Sequence, residues 1–441
     1  MKNKSNVLAI AIMFFLFAMI SFVTGLQNPM GVIVKSQFEA TNAMSQLGNL
    51  ANFIAYAFMG LPAGFILKKY GYKITSLLAV SIGFIGVGIS FLSGVAESFA
   101  VYLAGAFVSG FSMCMLNTVV NPMLNTLGGG GNKGNQLIQF GGSLNSLSAT
   151  IVPVLVGYLI GEVTADTAIS DADPALFIAM GVFALAFVII IFSDIPEPEL
   201  EAARKNPQPE EKTMESVSKA LSHKNLVFGV IAIFLYVGIE VGIPNIANLY
   251  MTSSEVGISA GVAGTVVGMY WLLMLIGRLL GGAIGAKVSS KVMMTFVSAL
   301  AIIFILVGMF LPETFVKFPA ISSDLSFSLV DIPLGVVFFV LCGLCTSVMW
   351  GAIFNLSVEG LGKYTSIASG LFMVMVCGGG VLPVLQGAVA DRFGFIDSYW
   401  VLVAALAYIL IFALFLSKPN SADNTAASSE ELADDRGNDL V

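Results

Sequence analysis

Apolar residues run through this chain in long blocks separated by short polar ones. Stretches near or above the roughly 18–20 residues that cross a bilayer recur. They fall at 7–34, 46–66, 74–95, 98–127, 135–161, 175–194, 225–251, 258–284, 291–313, 331–360, 365–390 and 397–416. The pattern predicts an all-α polytopic membrane protein with 12 transmembrane helices. Lys2 and Lys4 precede the first block as they would a signal peptide. That block is too long for a signal core, and no small-residue cleavage site closes it before Lys35, so it is expected to stay as the first crossing.

The longest polar interruption, Ser193 to Asn225, starts with Pro and Glu residues and becomes a mixed-charge stretch expected to include an amphipathic helix. Six blocks precede it and six follow. The halves also echo each other. "IVPVLVGYLI" from Ile151 pairs with "VLPVLQGAVA" from Val381, "NPMLNTLG" from Asn121 with "NLSVEGLG" from Asn355, and "GFILKKYGYK" from Gly64 with "GAIGAKVSSK" from Gly282. These segments hold corresponding places in the two halves, as a duplicated six-helix unit requires. The expected units are residues 1–194, a loop over 195–224, a second bundle over 225–418, and a tail from 419 to 441.

Charge sets the orientation. With both termini cytoplasmic, nearly all of the 20 Lys and Arg fall in cytoplasmic segments; only Lys35, Lys317 and Arg392 lie in outer loops, and Arg278 lies within a block. The chain is 57% hydrophobic and 11% charged, where a soluble protein carries roughly 25% charged residues. Much of the net −7 sits in the tail, where Asp423, Glu430, Glu431, Asp434, Asp435 and Asp439 face Arg436 alone. That segment reads as disordered. Nothing basic enough for nucleic acid remains.

The four cysteines all fall within apolar blocks, so Cys342-x-x-Cys345 reads as core packing rather than a redox pair. The single histidine, His223, lies in the loop, which leaves no set for a His-based metal or catalytic site. No cofactor, no metal and no enzymatic activity are expected.

Polar side chains inside the blocks carry the functional signal, because an uncompensated polar group in hydrocarbon costs several kcal/mol. The first half supplies Gln27, Asn28, Asn117, Asn121, Gln139 and Asn145; the second supplies Glu240, Asn245, Asn248, Trp271, Trp350, Asn355 and Gln386. Asn49, Asn52, Asn125, Ser143, Ser146 and Tyr270 join them. Asn117, Asn121 and Asn125 share one helical face at i, i+4 and i+8. Pro29, Pro122, Pro153, Pro244 and Pro383 sit beside this set and can free backbone carbonyls. Each amide could bond a neighbouring helix or face a ligand. As a cluster they favour a neutral, hydroxyl-rich ligand, since amides donate to and accept from OH groups and aromatic rings cover the apolar faces of a sugar. Such a reading needs a water-filled central chamber walled by amides of both halves.

Duplicated six-helix halves joined by a long loop resemble the major facilitator superfamily. Gly64-x-x-x-Lys68-Lys69-x-Gly71-Tyr72-Lys73 is similar to its loop signature, with Lys68 where the signature has Asp. The resemblance implies the major facilitator fold, two pseudo-symmetric six-helix bundles with the substrate near the midplane between them. "TGLQN", "LPAGFILKKYGYK", "NTVVNPMLNTLG", "SLNSL", "FLYVGIEVGIPN" and "CGGGVLPVLQGAVAD" further resemble the fucose–galactose–glucose:proton symporter family, its glucose/galactose branch above all. The resemblance implies that Asn145 binds sugar and that Glu240 is the acid of the seventh-span motif. Asn28 and Asn117 stand where members of the family carry acids, which removes two proton-titrating groups.

The expected function is therefore a secondary active transporter importing a hexose or close derivative, coupled to H+ or Na+, with Glu240 as sugar acceptor or ion-coupling group. An uncoupled facilitator or exporter is the alternative that Asn28 and Asn117 raise. A sensor would need a signalling domain that the tail does not provide. The expected setting is a bacterial inner membrane, as a monomer in the lipid bilayer.

Overall fold

The structure, a computed structural model, describes residues 2–128, 131–160, 167–197, 200, 213–284, 288–311, 314–321, 326–361 and 365–418. The acidic tail lies outside the described residues, as do the side chains of Asn28 and Gln139.

The first half contains α1 (Lys2–Gly25), α2 (Gln27–Gln37), α3 (Asn42–Ser45), α4 (Leu47–Val95), α5 (Phe99–Leu127), α6 (Gly131–Ile160) and α7 (Asp173–Phe192). A short helix, α8 (Thr213–Ala220), lies in the linker where an amphipathic helix was expected. The second half contains α9 (Lys224–Thr252), α10 (Ala260–Ile284), α11 (Ser290–Phe310), α12 (Leu334–Thr346), α13 (Met349–Val358), α14 (Thr365–Met375), α15 (Gly378–Phe393) and α16 (Trp400–Ile411). Among the described residues, ten helical segments are long and apolar enough to cross a membrane. One of them, Leu47–Val95, has 49 residues. That is about 74 Å of helix, enough for two crossings. α6, whose apolar part is Phe140–Val156, completes twelve. Below, the near side is the one on which the chain starts, and the far side is the opposite one.

Where the continuous blocks break, backbone chemistry gives the reason. Pro29 has no N–H to offer the carbonyl of Gly25, and α1 ends at Gly25 before α2 resumes. α4 turns at Gly71, whose φ of 82° suits a residue without Cβ. Glu197, just beyond α7, accepts from the freed amides of Tyr72 (2.7 Å) and Lys73 (2.8 Å), as an N-cap does. Lys73 in turn donates to the carbonyls of Ile191 and Ser193 at the end of α7. The loop whose signature Asp is replaced by Lys68 thus receives an acid from the linker instead.

A β-hairpin on the far side was not expected. β1 (Phe315–Ile321) pairs antiparallel with β2 (Phe327–Pro333). The second strand takes up the start of the block read as 331–360, so helix begins only at Leu334. Alternating burial puts Ala320 and Ile332 inward, and Thr265 of α10 donates to the carbonyl of Ile321. A short apolar strand facing a bundle has no period that separates it from the start of a buried helix.

The two halves meet along two seams. α4 packs on α14 and α15, and α6 packs on α10. At the far end, Asp391 of α15 accepts from the backbone amides of Asn42 (2.7 Å) and Ala43 (3.0 Å), and Asn245 donates to Gln46 Oε1 at 2.9 Å. All four cysteines are free and buried, and Cys342 Sγ lies near the carbonyl of Phe338, as core packing predicts.

Candidate functional site

The site grows from α9, which is buried along nearly its whole length from Tyr236 onward. Such an inner helix can hold a carboxylate only if something compensates it. Glu240 has that compensation in Arg278 of α10, whose Nη2 lies 3.5 Å from Oε1. Each side chain is 15% exposed. Arg278 lies six residues before the near end of α10, and its guanidinium meets the carboxylate of the inner helix. The opposite nitrogen, Nη1, donates to the carbonyl of Gly142 at 2.7 Å and to Ser146 Oγ at 2.8 Å, both on α6 of the other half. One guanidinium therefore touches both halves, and the pair as a whole is charge-neutral.

Aromatic residues wall it. The fully buried Tyr236, one turn before Glu240, faces both charges. Trp350 of α13 meets its ring edge-on at 6.2 Å between centroids. Tyr270 bonds Thr346 at 3.0 Å and stands perpendicular to Trp271. Such rings offer the flat apolar surface a sugar face needs.

The amides predicted from the sequence do not gather into one ring around this pair. Asn145, beside Ser146 on α6, is half-buried and donates to the carbonyl of Phe17 at 3.1 Å. Asn117 donates to Tyr56 Oη at 3.0 Å, and Asn121 to the carbonyl of Asn117 on its own helix. Asn125, on the same face, is exposed, as is Asn355 of α13. Gln27 accepts from Tyr102 Oη at 2.8 Å within the first half. Asn245 reaches across to Gln46, and Asn248 is buried nearby on the same helix. Asn49 donates to the carbonyl of Gly379. Several amides thus join helices, while Asn117, Asn121 and Asn145 stay partly open in the first half.

Gln386 of α15 differs from all of these. It is wholly buried, and neither Oε1 nor Nε2 has a hydrogen-bond partner among the described residues. Its carboxamide lies against Gly242 of α9, where an added Cβ would stand 2.6 Å from Oε1.

Arg278, Tyr236 and Gln46 were not singled out as binding residues from the sequence. A signal for the first existed: Arg278 is the one basic residue in the interior of a block and Glu240 the deepest acid, and a buried charge needs a partner of opposite sign.

A model of the Major Facilitator Superfamily matches residues 11–382. The chain belongs to that superfamily. A glucose/galactose transporter of Brucella abortus biovar 1 (strain 9-941) is 27% identical over 420 residues, covering 95% of this chain and 96% of the relative. An L-fucose-proton symporter of Escherichia coli (strain K12) is 21% identical over 438 residues, covering 95% of each chain. The crystal structure of the superfamily transporter FucP in the outward conformation superposes with a TM-score of 0.66 at 20% identity, over 94% of this chain and 100% of that one. The resemblance read from the motifs thus extends over about 95% of the chain, and the fold is the twelve-helix one expected.

Proposed function

We propose that this protein is a secondary active transporter that imports a monosaccharide, a hexose such as glucose or galactose or a close derivative, by alternating access. The observation that carries the reading is the neutral Glu240–Arg278 pair, faced by Tyr236, whose ring Trp350 meets edge-on, and touching both halves. A site of zero net charge takes a neutral ligand without stranding a charge, and both of its members can bond hydroxyls. Relatives bearing glucose, galactose and fucose in their names agree with that chemistry. Asn117, Asn121 and Asn145 supply first-half contacts, with Glu240, Trp271 and Trp350 opposite; Gln27, Asn28, Gln139, Asn245, Asn248, Asn355 and Gln386 complete the candidate set.

Coupling is assigned to H+ or Na+ with Glu240 as the group that binds it. The protein works as a monomer in a bacterial inner membrane, with the near side and both termini in the cytoplasm, an orientation that the Lys and Arg distribution supports. Residues 1–194 and 225–418 form the bundles, with 195–224 the cytoplasmic linker between them.

Uptake of labelled glucose, galactose, mannose, fucose and N-acetylglucosamine into proteoliposomes tests this. Saturable accumulation of at least one hexose against its gradient, abolished by a protonophore or by sodium removal, is the expected result. Absence of transport for every sugar overturns the substrate class. Two features favour a second reading, an uncoupled facilitator or exporter: Asn28 and Asn117 replace family acids, and Glu240 already has its countercharge. Equilibration without accumulation selects it.

A further inference from the structure

The two charges of the central pair differ in one respect. A guanidinium keeps its proton under all ordinary conditions, whereas a carboxylate can be neutralised. The fixed charge, Arg278, is also the one that crosses between the halves. Its two hydrogen bonds, to the Gly142 carbonyl and Ser146 Oγ, both go to α6, while Glu240 holds it by charge alone at 3.5 Å. Arg278 belongs to α10, so the α6–α10 seam closes directly over a cation.

We infer that Arg278 is a positioning residue through which the charge state of Glu240 sets the strength of the α6–α10 contact between the halves. With Glu240 ionised, the buried guanidinium is compensated and the seam stays closed. When a cation neutralises Glu240, Arg278 is left in a nearly dry place with only the Gly142 carbonyl and the Ser146 and Tyr236 hydroxyl dipoles. Such a charge is costly until water reaches it. Gly142 and Arg278 lie toward the near side, so parting α6 from α10 there admits that water and opens the near side. The step adds a proton to a Glu240 carboxylate oxygen and breaks only the ionic contact. The inference rests on the cation-coupled reading above, and it names how binding at Glu240 is converted into movement.

The titratable and charged groups facing Glu240 are known among the described residues. Tyr236 comes from its own helix, and Arg278 and Tyr270 come from α10. Tyr270 is held by Thr346, and α6 contributes the non-titrating Ser146. Arg278 is thus the cation in position to respond.

Hydrogen–deuterium exchange on the full-length protein in lipid nanodiscs, corrected for the intrinsic pH dependence of exchange, reads the seam directly. Acidification is expected to lower protection in α6 and α10 of the wild type and to leave α11 unchanged. Glu240→Gln should show the low protection at every pH. Arg278→Gln should lose the pH response, and Glu240→Gln/Arg278→Gln should regain protection. If Arg278→Gln does not fold, Arg278→Lys, which keeps the charge but not the planar fork, should reduce the response about twofold or more. A sodium titration at fixed alkaline pH is run in parallel, and a response to either cation supports the inference. It is overturned if neither cation changes protection, if Arg278→Gln responds as the wild type does, or if Glu240→Gln matches the alkaline wild type. Thermal shifts with the hexose panel on the same samples separate the two readings. Sugar binding without a seam response sinks this inference alone, and a seam response without sugar binding sinks the substrate assignment alone.

Discussion

Asn49 of α4 donates its side-chain amide to the carbonyl of Gly379 in α15, 2.9 Å away in the other half. That carbonyl is open because the residue four positions on is Pro383, which has no N–H. A proline in one bundle thus creates an acceptor, and a buried asparagine in the other satisfies it. The bond lies in the α4–α15 seam, where Leu50 and Phe53 also pack against the glycines following Cys377.

Asn49→Ala is expected to lower thermal stability in detergent, because it leaves the Gly379 carbonyl buried and unpaired at a cost of about 1–3 kcal/mol. Asn49→Asp should cost at least as much, since it places an acceptor against an acceptor. Scanning fluorimetry checks both. An unchanged melting temperature for either variant would mean that water replaces the amide.

Gly71 should not tolerate a side chain. Its φ is positive, and an added Cβ would collide with the carboxylate of Glu197. Gly71→Ala is expected to reduce folded yield, with strain of about 1–3 kcal/mol. Glu197→Ala, which strips the cap from Tyr72 and Lys73, should cost about 1 kcal/mol. Yield of monodisperse protein and melting temperature measure both. A harmless Gly71→Ala would show that the linker can leave the loop freely.

Glu240→Gln should abolish concentrative uptake and destabilise the protein by about 3–5 kcal/mol, the cost of leaving Arg278 buried without its countercharge. Removing both charges together, with Glu240→Gln/Arg278→Gln, should recover part of that stability but not the accumulation. Uptake with unchanged rate and unchanged pH and sodium dependence in Glu240→Gln would remove this residue from the mechanism.

Gln386→Leu separates a binding amide from a packing one. In this conformation the side chain spends two buried polar atoms without a partner, so leucine should raise the melting temperature or leave it unchanged. If the amide meets sugar or water in another step of the cycle, transport should fall tenfold or more, about 1.4 kcal/mol. Full transport together with greater stability would exclude Gln386 from the substrate path.

Tyr102→Phe gives the contrast. It removes the hydroxyl that donates to Gln27, a bond made inside the first half and remote from the Glu240–Arg278 pair. Stability should fall by about 1 kcal/mol with the apparent affinity for sugar unchanged. That result removes Gln27 from the candidate set; a lower affinity keeps it there.

Apolar block length determined the crossings, since backbone N–H and C=O groups in hydrocarbon must be paired within a helix. Lys and Arg placement determined the expected orientation, and the repeated motifs determined the pairing of halves. The breaks at Gly71 and ahead of Pro29 stood at residues whose chemistry permits them. What one dimension could not carry was partnership. Asn49 with Gly379, Asn245 with Gln46 and Arg278 with Gly142 lie 330, 199 and 136 residues apart, and only packing selects such pairs from the alternatives. The sequence counted amides suited to a ligand; the tertiary structure decided which of them were already engaged in joining helices. It also decided that Glu240 is not a solitary acid. An ion pair depends on where two side chains end in space, and helix packing places those ends.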